Sequence, residues 1–204
     1  MIPAKVQAQL KAASLAVPFP VRRFSCGICG DDWDRFIEQW APVCYGFVAE
    51  ALGPYATEPA STILALSDPA HSAGANASFE LGSGQVRLSP SVVRGKAGLT
   101  LEKLTHEFTH GALAAFPEGD PFYEEGYVDY SVWVMAHAPI WGAHQRAMIE
   151  AAAFNITCRR DRALKDLSDY DRKRWAGGLF CSTMHGPWII SKLKMRKLEG
   201  TLQW

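Results

Sequence analysis

LTLEKLTHEFTHGALAAFPEGDPFYEEGYVDYS, residues 99–131, is the stretch on which the reading of the whole chain turns. Its first half places Leu101, Leu104, Phe108 and Leu113 at helical spacing, the apolar stripe of a core helix that opens near Thr100. Beside that stripe, residues 106–110 read His-Glu-Phe-Thr-His, an H-E-x-x-H pattern. Residues four apart share a helix face, so both imidazoles can reach one metal ion, and neutral imidazole suits zinc. Glu107 can lie next to an open metal position without being a ligand. A helix that merely carries surface histidines would show the same spacing. The apolar stripe argues instead for a helix buried beside a cleft.

Catalytic zinc usually takes three protein ligands and leaves one position for water. The metzincin extension would put glycine at 113 and histidine at 116, but Leu113 and Phe116 stand there, so that class is excluded. Downstream, Pro121 opens a second helix well. That helix carries Glu125 and Asp129, four residues apart and so on one face. Glu124 competes for the third position, although it is rotated from Glu125 by about a quarter-turn of helix or more. Asp120 is a further competitor.

An H-E-x-x-H followed by a helix bearing E-x-x-x-D resembles the gluzincin metallopeptidases. The segment Phe122-Tyr123-Glu124-Glu125-Gly126-Tyr127-Val128-Asp129-Tyr130 is also similar to the W-L-x-E-G-x-A-x-Y helix of small peptidase-MA-like domains. The resemblance covers about residues 100–131. It implies that His106, His110 and Glu125 are zinc ligands, that Glu107 is the general base, and that Asp129 is the carboxylate orienting a ligating histidine. An aspzincin-like reading would use Asp120 in place of Glu125. Fourteen residues separate His110 from Glu125, fewer than in the large members, which a compact loop would explain.

The expected chemistry is peptide hydrolysis. Zinc lowers the pKa of water at its open position and polarises the scissile carbonyl. Glu107 takes the proton and passes it toward the leaving amine. The oxyanion then needs a donor besides the metal. Gluzincins supply a Tyr or His from a downstream helix, in related small domains often the Tyr of a Y-x-x-G segment. Trp175-Ala176-Gly177-Gly178 falls where that segment would be, so the hydroxyl is missing. His185 becomes the expected donor, with Tyr170 and the Trp175 indole behind it. A non-catalytic structural or binding protein is the alternative, as is a peptidase acting only within a larger assembly as a maturation protease, toxin or sensor. The intact Glu107 favours catalysis, and the missing tyrosine favours the non-catalytic alternative.

Outward from this stretch, the pattern changes period. Phe36, Ile37, Trp40, Val43, Cys44, Phe47 and Val48 recur at helical spacing behind an N-cap at Asp31 or Asp32, and this helix ends near Gly53-Pro54. Residues 61–66, 77–81 and 85–89 read as strands, the last two flanking a hairpin-like Gly82-Ser83-Gly84 break. From Leu99 onward the chain reads as helix. The expected fold class is therefore α+β and zincin-like, with a small N-terminal mixed sheet packed on the H-E-x-x-H helix and a helical C-terminal half. The expectation is one domain over 1–204, with lobes 1–98 and 99–204.

Composition narrows the partners. Of 204 residues, 48% are hydrophobic, and 21 basic residues balance 21 acidic ones. That excludes a disordered chain and removes the broad positive charge of a nucleic-acid binder. The basic runs Lys192, Lys194, Arg196, Lys197 and Arg159, Arg160, Arg162 read as solvated helix faces. No apolar window is long enough to span a bilayer, and Pro18 and Pro20 interrupt any signal-like run, so a cytoplasmic protein acting on peptides or proteins is expected. The five cysteines, Cys26, Cys29, Cys44, Cys158 and Cys181, are read as reduced. A second, structural zinc on Cys26, Cys29, Cys181 and His185 is the less favoured alternative. Trp33, Trp40, Trp133, Trp141 and Trp188 are expected in helical core stripes. His71, His137 and His144 lack ligand spacing and are expected as surface or capping residues.

Overall fold

The computed structural model describes residues 31–52, 62–65, 76–80, 85–93, 96–113, 120–160 and 164–193. The Gly82-Ser83-Gly84 break, His71, Cys26, Cys29 and Lys194, Arg196 and Lys197 lie outside these residues. The chain divides into two compact units, Met1–Ala115 and Phe116–Trp204.

In the first unit, helix α1 spans Asp31–Leu52 and is followed by strands β1 (Thr62–Ala65), β2 (Ala77–Glu80) and β3 (Gln85–Leu88). A single turn, α2 (Pro90–Val93), then leads into α3 (Ala97–Leu113), the helix of the H-E-x-x-H pattern. The strands form one sheet in the order β1-β3-β2, with β3 parallel to β1 and antiparallel to β2. Thr62 pairs with Gln85 in one ladder, and Phe79 with Val86 in the other.

Helix α3 buries its stripe mainly against α1, where Ile37, Trp40, Cys44, Phe47 and Val48 are buried as their spacing required. Tyr45 meets Phe108 edge-on, ring centroids 5.6 Å apart. The other faces of α3 are largely buried too, and its threonines find local partners. Thr105 donates to the Leu101 carbonyl (2.8 Å), Thr109 to the Thr105 carbonyl (2.7 Å), and Thr100 to the Val92 carbonyl (3.1 Å). Such back-bonding lets a hydroxyl enter a core without an unmet donor.

The second unit is helical. Helix α4 (Pro121–Ala136) and a 3-10 segment (Pro139–His144) precede α5 (Gln145–Arg160) and a short 3-10 turn (Leu164–Asp166). Then α6 (Asp169–Phe180) continues through a π-helical turn (Cys181–His185) into α7 (Gly186–Lys192). Asp120 caps α4 by accepting from the Phe122 amide at 3.0 Å, and Pro121 occupies the first turn, where its missing N–H costs nothing. Ser168 caps α6 through the Asp171 amide at 3.1 Å.

Helices α4 and α6 form the main contact of this unit. Two glycines allow it. A Cβ on Gly126 would overlap the backbone carbonyl of Arg174, and one on Gly177 would overlap that of Tyr123. The two backbones touch where side chains would otherwise hold them apart.

The expected α+β, zincin-like class is overturned: the described chain is mostly helical. The strands are four residues each, and among the sheet's described side chains Val86 and Leu88 are the fully buried apolar ones. Although β2 and β3 border α3, its stripe is matched chiefly by the 22 residues of α1. Period-two patterning marked the strand segments but overstated their share of the core. Of the tryptophans, Trp33, Trp40 and Trp141 are buried, while Trp133 and Trp188 are only half-buried. Trp141 belongs to the 3-10 segment rather than to a helical stripe, and its indole donates to the Met135 carbonyl at 2.7 Å. Among the described residues, no helix is long and apolar enough to cross a membrane.

Candidate metal centre

The first unit brings His106 and His110 together on α3. Their Nε2 atoms are 3.3 Å apart, and the rings meet edge-on with centroids 5.0 Å apart. His106 and Glu107 are buried, and His110 is half-buried near the end of the helix. The local cause is the stripe: Leu101, Leu104 and Phe108 are buried, Phe108 on Tyr45 of α1, and a buried stripe fixes the rotation of the helix about its axis. The histidines one turn apart therefore keep a common direction.

The second unit builds a carboxylate cluster on α4. Glu125 and Asp129 occupy successive turns, and Arg174 of α6 meets both. Arg174 Nη2 lies 2.6 Å from Asp129 Oδ2 and 3.3 Å from Glu125 Oε2, and Arg174 Nε donates to the same Asp129 oxygen at 3.2 Å. The guanidinium also donates to the Tyr170 hydroxyl and stacks over the Tyr170 ring, 5.2 Å from its centroid. Burial opposes the Arg174 cation, but Asp129 and Glu125 outweigh it, and its pKa is raised. Asp129, expected to orient a histidine, has Arg174 as its partner within its own unit. Glu124 is half-buried beside Glu125. Asp120 caps α4 and pairs with Lys173 (2.6 Å), which holds its carboxyl below the usual range.

His185 lies in the π turn, with its Nδ1 2.8 Å from the Tyr127 hydroxyl. Its ring meets those of Tyr127 and Phe180 edge-on at 5.5 and 5.6 Å. Burial lowers its pKa, which favours the neutral ring. A neutral ring that accepts the Tyr127 hydrogen bond at Nδ1 carries its proton on Nε2. Tyr170 is partly exposed and engaged by Arg174, and the Trp175 indole is half-buried on α6. Cys181 is a buried free thiol 3.3 Å from the Ser131 hydroxyl, and burial pushes it up to about 12.

The neighbour of Glu125 and Asp129 that the sequence does not single out is Arg174. A signal for it existed, because two acids on one buried face need a cation. The run Arg172-Lys173-Arg174 offered three, and only the rotation of α6 against α4 selects among them.

No model of a protein family matches the chain, and neither a curated protein nor a solved structure matches it. The resemblance therefore rests on residues 100–131 alone.

Proposed function

We propose that this protein is a zinc-dependent hydrolase of peptide bonds of gluzincin type, in which His106, His110 and Glu125 are the donors to the metal and Glu107 is the general base. The observation that carries the reading is the 3.3 Å between the two imidazole Nε2 atoms. Two nitrogens bound tetrahedrally to one zinc at about 2.0–2.1 Å stand about 3.3–3.4 Å apart. A bound zinc would polarise a carbonyl and acidify water at its open position. Glu107 then accepts a proton from the attacking water and delivers it to the departing amine. His185, favoured as a neutral ring by burial and hydrogen-bonded to Tyr127 at Nδ1, is the proposed donor to the oxyanion. The buried free thiols of Cys44 and Cys181 support a reducing, cytoplasmic setting, with peptides or proteins as substrates.

The second reading is a metal-binding protein without catalysis, favoured by Trp175 standing where the related domains place tyrosine. Zinc analysis of the metal-repleted chain, alongside hydrolysis of an unfolded protein substrate, separates the readings. The expectation is about one zinc per chain in both wild type and Glu107→Gln. Turnover should fall by about 10²–10⁴-fold in the variant. Substoichiometric zinc in the repleted wild type ends the proposal, unchanged turnover removes Glu107 as the base, and zinc without turnover leaves the non-catalytic reading.

A further inference from the structure

Arg174 is buried, yet it is not an incidental core cation. Asp129 takes two of its donors on one oxygen, the Tyr170 hydroxyl takes Nη1 while its ring lies 5.2 Å from the guanidinium carbon, and the backbone of Arg174 is pressed onto Gly126. These contacts fix the guanidinium from several sides, and what it then presents to Glu125 is Nη2, 3.3 Å from Oε2. A carboxylate has two oxygens. With Oε2 turned to the arginine, Oε1 is the oxygen to offer a metal. A glutamate on an exposed helix face samples several rotamers and loses that freedom on ordering. Pairing to a fixed cation removes most of that freedom before any ligand arrives.

We propose that Arg174 is a positioning residue for metal binding: anchored on Asp129, it holds Glu125 by Oε2 in the orientation that presents the other oxygen as a ligand. Asp129 therefore acts through an arginine. The inference rests on the reading of His106, His110 and Glu125 as the metal's donors. Partners behind a metal ligand typically change metal affinity by about 10–100-fold when removed.

The test is a double-mutant cycle read as Zn2+ affinity, by competition with a chromogenic chelator on the full chain. Arg174→Gln should weaken Zn2+ binding by about 10–100-fold. In a Glu125→Gln background the same change should cost nothing further, because the side chain it positions no longer ligates. Unaltered affinity in folded Arg174→Gln overturns the inference, as does an equal loss in both backgrounds, which would mark a merely structural role. Where Arg174→Gln does not fold, Arg174→Met with Asp129→Leu removes the buried pair as a unit. It leaves Glu125 without its cation, and the same loss is expected. A wild type that takes up no Zn2+ refutes the donor assignment itself; a wild type that binds Zn2+ with an affinity indifferent to Arg174 refutes only the positioning role.

Discussion

Helices α3 and α4 carry the proposed donors, but they are secured by opposite means. Helix α3 is held by side chains: a conventional apolar stripe interlocks with α1, Phe108 against Tyr45, and Thr105 and Thr109 turn their hydroxyls back on their own helix. Helix α4 is held by backbone. Gly126 and Gly177 let it touch α6, and that approach brings one arginine, Arg174, against both Glu125 and Asp129. Packing by side chains tolerates no lost volume, whereas packing by backbone tolerates no added volume. The two histidines thus depend on large residues beside them, and Glu125 depends on the absence of a side chain at its immediate neighbour.

The strongest challenge to this contrast is Phe108→Ala in α3. It should cost about 3–5 kcal/mol of unfolding free energy. A loss under about 1 kcal/mol in denaturant unfolding would show that α3 is not held by its stripe. Next comes a pair of matched alanines. Gly126→Ala should cost about 3 kcal/mol, the upper range for overpacking, because backbone rather than a flexible side chain is in the way. Gly46→Ala in α1, where an added Cβ meets nothing within 4 Å, should stabilise by about 1 kcal/mol through helix propensity. Equal effects of the two alanines would erase the distinction between the helices.

The smallest effect lies at the exposed start of α4. The carboxyl of Asp120 is lowered mainly by its hydrogen bond to Lys173, so the pair contributes above the ordinary aspartate range. That contribution is lost as pH falls through the lowered value. The raised Lys173 ammonium gives the opposite limb, lost only as pH climbs above the ordinary lysine range. Asp120→Asn keeps a capping side chain but removes the pair. It should flatten the acid limb of the melting temperature below the ordinary aspartate range, at about pH 4 and under, by an amount that shrinks with added salt. An unchanged acid limb would detach the Asp120 carboxylate from the stability of α4.

What was legible in the chain followed from periodicity and capping. The spacing of Leu101, Leu104 and Phe108 marked α3, that of Ile37, Trp40, Cys44, Phe47 and Val48 marked α1, and Pro121 marked the start of α4. The strands Thr62–Ala65, Ala77–Glu80 and Gln85–Leu88 fall inside the segments that read as β, yet they are a small part of a mostly helical fold. Alternation reports that a segment is half-buried, not how much of a core it supplies. Trp141, expected in a helical stripe, sits instead in the 3-10 segment that Pro139 opens. Asp120, open as a ligand in the sequence, acts in the structure as a cap with a lysine partner.

The sequence by itself determined the helices that carry the proposed donors, the pairing of His106 with His110, and the shared face of Glu125 and Asp129, because a helix's 3.6-residue period fixes neighbours a turn apart without reference to anything else. Only the tertiary structure decided that Arg174, not Arg172 or Lys173, meets those acids, that Gly126 is a contact surface, and that Tyr127 engages His185. Those pairings join residues 45 to 58 positions apart. They depend on how two helices rotate and how closely they approach, which local periodicity does not encode.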